Sequence, residues 1–329
     1  METHSRPSAF AKYAWFALAY NVVVIIWGVF LRASHSGDGC GQHWLTCGGE
    51  VVPSAPQMKT VIEFSHRITT TLDGFVVIGL LVWAFLLWYR ERSNPRSDLL
   101  KFALASFIFV SIEGALGAGL VLTGNTADNW TPARPYWAIG HLINTFLLLG
   151  SLTLTVWFSG PAKRLGRVPA KYLWLMAIGV IGIFLVGSSG SLAALSNMLF
   201  PSTSIIQGVV NDFAGDSPGI VRLRVSHPIL SVIVGVFLIF LSGWLRSAAD
   251  GSRVRKWSNV LSVLVLIQFA SGAVTLLLHA PILMQLAHLF LADAVWISFV
   301  FLCAEFLAKP DGAEAVSSGH DAELNGRKR

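Results

Sequence analysis

The sequence predicts an all-α integral membrane protein with eight transmembrane helices, arranged as two pseudo-symmetric four-helix bundles. Three observations support this fold class. First, 54% of the residues are hydrophobic and only 13% are charged, which is far more apolar than a soluble globular domain. Second, eight segments each approach or exceed the roughly 20 apolar residues that a helix needs to cross a bilayer. Third, short motifs recur in the same order in the two halves of the chain.

The eight apolar segments are expected to be helices, because a lipid-embedded segment must satisfy its own backbone polar groups. They run over residues 14–32, 66–89, 101–122, 136–158, 171–194, 225–246, 257–278 and 282–307. The first segment lacks the small-residue cleavage site of a signal peptide, and we therefore interpret it as a transmembrane helix.

The lysines and arginines are distributed unevenly between the two ends of these segments. Eighteen of the 24 lie in the two terminal tails and in the connections 90–101, 159–171 and 246–256. The positive-inside rule then predicts a multi-pass protein of the cell (inner) membrane with both termini in the cytoplasm. This topology accounts for the net charge of +6, and we predict the lipid bilayer rather than nucleic acid as the surrounding partner.

The segments group into two halves with predicted boundaries. Residues 14–158 form the N-terminal four-helix half and residues 171–307 the C-terminal four-helix half, joined by a cytoplasmic linker at 159–170. Long connections at 33–65, 123–135 and 195–224 are expected to face outward. Residues 1–13 and 308–329 are expected to be cytoplasmic tails, the second disordered because it is small and polar.

Four pairs of short motifs indicate an internal repeat, which is common in membrane proteins. The run G-V-F-L-R-A-S at 28–34 is similar to G-I-F-L-V-G-S at 182–188, and I-E-G-A-L-G-A at 112–118 is similar to I-Q-F-A-S-G-A at 267–273. The dipeptide Ser-His at 65–66 and 226–227, and the tripeptides at 140–142 and 287–289, complete the set. Each match is short, but their shared order predicts two equivalent units.

The first outer connection carries two cysteines seven residues apart, Cys40 and Cys47. An outward-facing loop lies in an oxidising compartment, so we favour a disulfide that stiffens this loop. Two free thiols, or a metal site that includes His43, are the alternatives.

A carboxylate and an imidazole follow this loop at Glu63 and His66. Residues three apart share one face of a helix, and an ionisable pair at the end of an apolar helix is costly and therefore a functional-site hypothesis. The residue that matches Glu63 in the second half is Arg224, three before His227. We therefore predict chemistry in the first half and electron transfer in the second. Two further buried acids, Asp73 and Glu113, are assigned structural roles.

Four histidines lie within about two turns of the outer ends of the second, fourth, sixth and eighth segments. They are His66, His141, His227 and His288. A single membrane-embedded histidine is usually hydrogen-bonded to a neighbouring helix, but four at matched positions favour two haem sites. Paired histidines on facing helices of a bundle can hold a cofactor, and haem iron takes axial imidazoles. A bare zinc or copper ion is less favoured, because neither half adds clear further ligands.

Cations for haem propionates, or for support of the site, are available near the outer ends of the same helices. They are Arg67, Arg134, Arg222 and Arg224.

Together these residues resemble haem A synthase, the membrane enzyme that converts haem O to haem A for terminal oxidases. The resemblance rests on S-G-x-G-C-G-x-x-W-x-x-C at 36–47, on E-x-x-H-R at 63–67 and on the three later histidines. It covers about residues 14–307. Cys40 and Cys47 match the paired loop cysteines of the bacterial type, whereas the connection 195–224 has no such pair.

The resemblance implies an oxidoreductase that acts on a methyl group. The first half would bind the substrate haem O, with His66 and His141 as iron ligands and Glu63 as a catalytic acid or base. The second half would bind a haem b cofactor through His227 and His288. Two successive hydroxylations of a ring methyl would give a geminal diol, which loses water to leave a formyl group.

The resemblance also implies partners. Haem O synthase is expected, because a hydrophobic porphyrin is best handed over directly, and an electron donor is required that the sequence does not identify. Exposed apolar helix faces are compatible with a homo-oligomer.

Two readings compete with this one. A bis-haem b-type electron carrier, or a quinol-linked cytochrome without chemistry on the haem, explains the four histidines equally well. A haem transporter or chaperone is the third reading. The electron carrier does not explain the E-x-x-H-R motif, which one half has and the other lacks, or the cysteine loop.

Overall fold

The structure, a computed structural model, describes residues 8–90, 97–160, 164–249 and 251–308. In these ranges the chain is all-α, with ten helices and no strand. The helices are α1 (Ala9–Ala33), α2 (Met58–Arg90), α3 (Ser97–Leu122), α4 (Arg134–Phe158), α5 (Ala170–Leu199), α6 (Ile205–Phe213), α7 (Gly219–Arg222), α8 (Ser226–Ala248), α9 (Ser252–Leu277) and α10 (Ile282–Leu307). A 3-10 turn joins α7 to α8, and the run Gly219–Ala248 counts as one of eight helices long and apolar enough to span a membrane. The predicted fold class is confirmed.

Several helices extend beyond their predicted ends. α1 begins at Ala9 rather than at 14, and α2 begins at Met58 rather than at 66. Glu63 and His66 therefore lie inside a helix instead of before one. Hydropathy marks only the stretch that sits in lipid, whereas backbone hydrogen bonding continues the helix into the polar boundary. The remainder of the predicted tails, residues 1–7 and 309–329, lies outside the described residues.

The helices form two bundles that meet along α4 and α10. In the first, α1 packs on α2, α2 on α3, α3 on α4, and α4 returns to α1. In the second, α5 packs on α8, α8 on α9 and α9 on α10. α4 contacts both α5 and α10, and α1 also reaches α10. α4 and α10 are the most deeply buried spans, so the seam between the halves is made of two histidine-bearing helices.

Aromatic packing and one hydrogen bond hold the helices of the two halves together at this seam. The indole N–H of Trp296 on α10 donates to the backbone oxygen of Phe146 on α4 at 2.7 Å. The rings of Phe146, Phe184 and Trp296 pack with centroids 5.5 to 5.8 Å apart. Association of helices in lipid depends on such close packing and interhelical hydrogen bonds, so the two bundles are held as a unit.

The structure corrects the register of one predicted repeat. A Cβ added at Gly28 on α1 would meet the ring of His66 at 3.0 Å, and one added at Gly190 on α5 would meet the ring of His227 at 2.9 Å. Gly182, the predicted counterpart of Gly28, lies against Val234 instead. The counterpart of 28–34 is therefore 190–196, about two turns further along α5. Small and apolar residues recur often in such helices, and only the contact with histidine identifies the equivalent glycine.

Candidate functional site

Glu63 is buried on α2 and is held by the cysteine loop and by Arg67. The residue is 3% exposed. Its Oε2 accepts a hydrogen bond from the backbone N–H of Cys40 at 2.8 Å, and its Oε1 accepts from the Arg67 guanidinium at 2.5 Å. Arg67 also donates to the carbonyl oxygens of His43 at 2.7 Å and Thr46 at 2.9 Å. The carboxylate therefore lies where the loop meets the helix.

A disulfide closes the loop that holds this carboxylate. Cys40 and Cys47 are bonded to each other, and both residues are buried. This confirms the predicted disulfide over free thiols and over a metal site with His43. Because the amide of Cys40 is itself a hydrogen-bond donor to Glu63, the disulfide fixes one of the two groups that orient the acid.

The cysteine loop touches α2 at a position that only glycine tolerates. A Cβ at Gly39 would overlap the backbone carbonyl group of Lys59. In the same contact, the hydroxyl of Thr60 donates to the Gly39 carbonyl oxygen at 2.7 Å. The second glycine of the S-G-x-G-C-G motif is therefore explained by close backbone approach.

We expect Gly39→Ala to destabilise the protein by about 1–3 kcal/mol, the usual cost of forcing an extra methyl into a packed contact. The measurement is the thermal denaturation midpoint of the detergent-purified chain. Gly37→Ala is the matched control, because a Cβ there would meet its nearest neighbour, Thr126, at 3.5 Å, an ordinary contact distance. Equal midpoints for the two variants would contradict the expected role of Gly39.

The first histidine pair is formed by α2 and α4. His66 and His141 lie close enough for their charges to interact. The Nδ1 atoms of both are buried without a hydrogen-bond partner among the described residues. Gly28 lets the backbone of α1 approach the ring of His66, and Glu113 on α3 has its Oε1 3.5 Å from Nδ1 of His141. Buried polar atoms without partners are costly, and for Nδ1 of His141 the carboxylate of Glu113 is a candidate acceptor.

The second histidine pair is formed by α8 and α10. The ring centroids of His227 and His288 are 6.3 Å apart, and the ring planes are nearly perpendicular at 88°. Two imidazoles on one metal ion would have centroids roughly 6 Å apart, since each metal–nitrogen bond is about 2 Å and each centroid lies about 1 Å behind its nitrogen. The spacing of this pair therefore suits one shared metal ion.

The Nδ1 atoms of this second pair already have partners in the protein. Nδ1 of His227 lies 3.2 Å from the carbonyl oxygen of Val186 and 3.3 Å from the hydroxyl of Ser189. Nδ1 of His288 lies 3.3 Å from the hydroxyl of Ser271. A ligating imidazole usually donates its other N–H in this way, which fixes its tautomer and orientation. In each ring Nε2 is therefore the nitrogen that could bind a metal ion, and Nε2 of His288 lies 3.4 Å from the side-chain amide nitrogen of Gln268.

Two of the predicted arginines brace outer loops instead of facing an open site. Arg134 is buried and donates to the carbonyl oxygens of Ala127 and Asn129, which shapes the connection before α4. Arg67, which is partly buried, likewise donates to carbonyl oxygens of the cysteine loop. Arg222, by contrast, is exposed.

Arg224 fixes α6 over the second half. It donates to Asp212 at 2.7 Å, to Asn197 at 2.9 Å and to the carbonyl oxygen of Gly208 at 3.0 Å. The arginine at the position that matches Glu63 therefore ties the turn before α8 to α5 and α6.

Sequence reasoning missed Arg32, which lies in the last turn of α1. Its guanidinium is close enough to Arg134 for the two charges to repel, and no side-chain hydrogen bond of Arg32 occurs within the described part of the chain. A guanidinium with unused donors is suited to a ligand carboxylate. In the sequence, Arg32 is marked only as one of the six lysines and arginines that lie on the predicted outer side. Its closeness to Arg134 is a result of folding.

The chain is similar in sequence to a known protein family and to several known proteins. A family model described as cytochrome oxidase assembly protein (COX15-CtaA) matches residues 11–300. A protoheme IX farnesyltransferase of Thermus thermophilus is 37% identical over 96% of this chain and 51% of its own length. Heme A synthases of Alkalihalophilus pseudofirmus and Halalkalibacterium halodurans are each 27% identical, over 87% and 86% of this chain and 92% and 91% of their own lengths. The chain spans about half the length of the Thermus relative.

Proposed function

Because the chain belongs to the cytochrome oxidase assembly protein family, we propose that it is a haem A synthase, an oxidoreductase that converts haem O to haem A. The single observation that carries this proposal is the buried Glu63, held beside a histidine pair in one half only. Two relatives named heme A synthase, similar over most of both chains, support it.

In this proposal each histidine pair holds one porphyrin. His66 and His141 are the axial ligands of the substrate haem O, and His227 and His288 are those of a haem b cofactor. The 6.3 Å spacing of the second pair and the electrostatic interaction between His66 and His141 in the first fit these roles. When bound, haem b supplies one-electron transfer to and from the first half. Arg32 and Arg222 are the arginines best able to receive propionates.

Glu63 acts on protons at the reacting ring methyl. Two successive hydroxylations, each a two-electron oxidation of the ring carbon in which an external oxidant supplies one oxygen atom, yield a geminal diol, and loss of water from the diol gives the formyl group. Both the hydroxylations and the dehydration require a proton to move near the same carbon, and a positioned carboxylate accelerates such steps by about 10²–10⁴-fold. The amide of Cys40 and the guanidinium of Arg67 orient the carboxylate from the outer side, which leaves it fixed when the substrate arrives.

The proposal includes location and partners. The protein lies in the cell (inner) membrane with both termini in the cytoplasm, and an electron donor of unknown identity reduces haem b. Haem O synthase is the proposed source of substrate. The Thermus relative, which this chain matches over 51% of the relative's length, is named protoheme IX farnesyltransferase. This supports direct transfer of a farnesylated porphyrin from haem O synthase to the present chain.

Pigment analysis tests the proposal. The full chain is produced together with haem O synthase in cells that otherwise make no haem A, and the pigments of the purified protein and of the membranes are extracted and separated. Haem A, absent from the same cells without the chain, is the expected result. Haem b alone would favour the electron carrier, and no tightly held haem would favour a transporter; either outcome would reject the enzyme.

A further inference from the structure

We propose that Glu113 is a positioning residue for His141. Its carboxylate accepts a hydrogen bond from Nδ1–H of that imidazole and so makes it a stronger and better oriented ligand for haem O. The inference rests on the proposed function of the first half. It replaces the structural role that the sequence suggested for this acid.

The carboxylate of Glu113 is fixed against one face of α4. Its Oε1 lies 3.5 Å from Nδ1 of His141 and accepts a hydrogen bond from the hydroxyl of Thr145 at 2.5 Å. Its Oε2 accepts from the side-chain amide of Asn144. Residues 141, 144 and 145 share a face because they are three and four apart. The acid is therefore held directly beside the imidazole.

The remaining gap is small. A normal N–H···O bond spans about 2.9–3.0 Å, so 3.5 Å is a few tenths of an ångström too long. Nδ1 of His141 has no other hydrogen-bond partner within the described residues. A slight rotation of the ring, such as occurs when Nε2 takes a metal ion, closes the gap.

In the second half, the position that matches Glu113 carries no acid. Gln268 matches Glu113 in the repeated motif, but its side-chain amide donates to the backbone oxygen of His288 at 3.1 Å and lies 3.4 Å from Nε2 of that ring, not from Nδ1. Nδ1 of His288 faces the neutral hydroxyl of Ser271 at 3.3 Å. Leu291 and Ala292 stand where Asn144 and Thr145 hold the acid. The carboxylate and both groups that fix it are therefore confined to the half that is proposed to hold the substrate.

An acidic partner changes what a ligating imidazole does. Hydrogen bonding to a carboxylate raises the basicity of the ligand, and such partners tune both affinity and potential at a metal. A more basic ligand favours ferric over ferrous iron. The iron in the first half should therefore have a lower reduction potential with Glu113 than with glutamine at this position. A residue that merely tied α3 to α4 would not move this potential.

The test is a redox titration of the full-length chain, purified with haem b and reconstituted with haem O, followed by visible spectra. Glu113→Gln should raise the midpoint potential of the haem O component and weaken haem O binding by about 10- to 100-fold. Glu113→Asp should recover part of both effects. The haem b component should stay unchanged, which reports that the chain is folded. Asp293→Asn is the control, because it removes another buried acid, 1% exposed, on α10.

The outcomes separate the two proposals. If wild-type chain binds no haem O through its first half, the proposed function fails. If wild-type chain binds haem O and Glu113→Gln matches it in potential and affinity, the role of Glu113 is refuted while the proposed function stands. If Glu113→Gln does not fold, Glu113→Asp decides, because it keeps the charge but draws the carboxylate away from Nδ1 of His141. A raised potential of the haem O component in Glu113→Asp would support the inference, and an unchanged potential would overturn it.

Discussion

Glu63→Gln is expected to keep both histidine pairs loaded while haem A formation falls by about 10²–10⁴-fold, the usual contribution of a positioned acid or base. Glutamine has the same shape and can still accept the hydrogen bond from the amide of Cys40, so the loop should remain in place. The measurement is haem A per mole of purified chain, with haem O or a hydroxylated intermediate accumulating in its stead.

Glu50→Gln is the control for that change. Glu50 belongs to the same loop but is exposed, and its carboxylate caps the backbone and hydroxyl of Ser54. The Glu50→Gln variant should therefore form haem A at the wild-type level. Normal output from Glu63→Gln itself would refute the catalytic role and would reduce Glu63 to an anchor for the loop.

His227→Ala and His288→Ala should each abolish the low-spin b-type spectrum of the purified chain. A haem iron held by two imidazoles becomes high-spin or is lost when one ligand is removed. Haem A formation should stop as well, because electrons no longer reach the first half. Optical and electron paramagnetic resonance spectra of the purified variants measure the change.

His43→Ala is the matched control for these two variants. His43 is an exposed histidine of the cysteine loop whose backbone oxygen, not its side chain, accepts from Arg67. Its removal should leave the spectrum intact. Persistence of the low-spin signal in both His227→Ala and His288→Ala would mean that the second pair does not ligate the haem b iron.

The fold was predictable because lipid imposes simple constraints. Apolar length defines the eight spans, and Cys40 and Cys47 were paired correctly because an outer loop is oxidising. Matched positions also led to the four histidines, since equivalent helices carry equivalent residues. These features depend on local sequence and on the environment, both of which can be read without coordinates.

The contacts between helices were not predictable in the same way. The register of 182–188 failed because small apolar residues repeat along a helix, and only packing against a histidine selects Gly190. Arg134 and Arg224 looked available for a ligand, yet folding brings loop carbonyl oxygens to Arg134 and groups of α5 and α6 to Arg224. Glu113 looked structural because the residues that hold it lie some thirty positions away on the next helix.

The glycines beside the histidine rings distinguish the site proposed for a retained cofactor from the site proposed for a substrate whose product must leave. Gly28, Gly190 and Gly272 press helix backbone against the rings of three histidines, so these rings have little rotational freedom left to lose on binding. Gly117, which matches Gly272 in the repeat, has no neighbour within 4 Å of an added Cβ, so it does not press on the ring of His141. The ring of His141 can therefore rotate, and its orientation is set by the side chain of Glu113 instead of by a neighbouring main chain. In the proposed function the product must leave the first half, so one of the two ligands there has to release it. The ring that is free to move, His141, lies in that half together with Glu63.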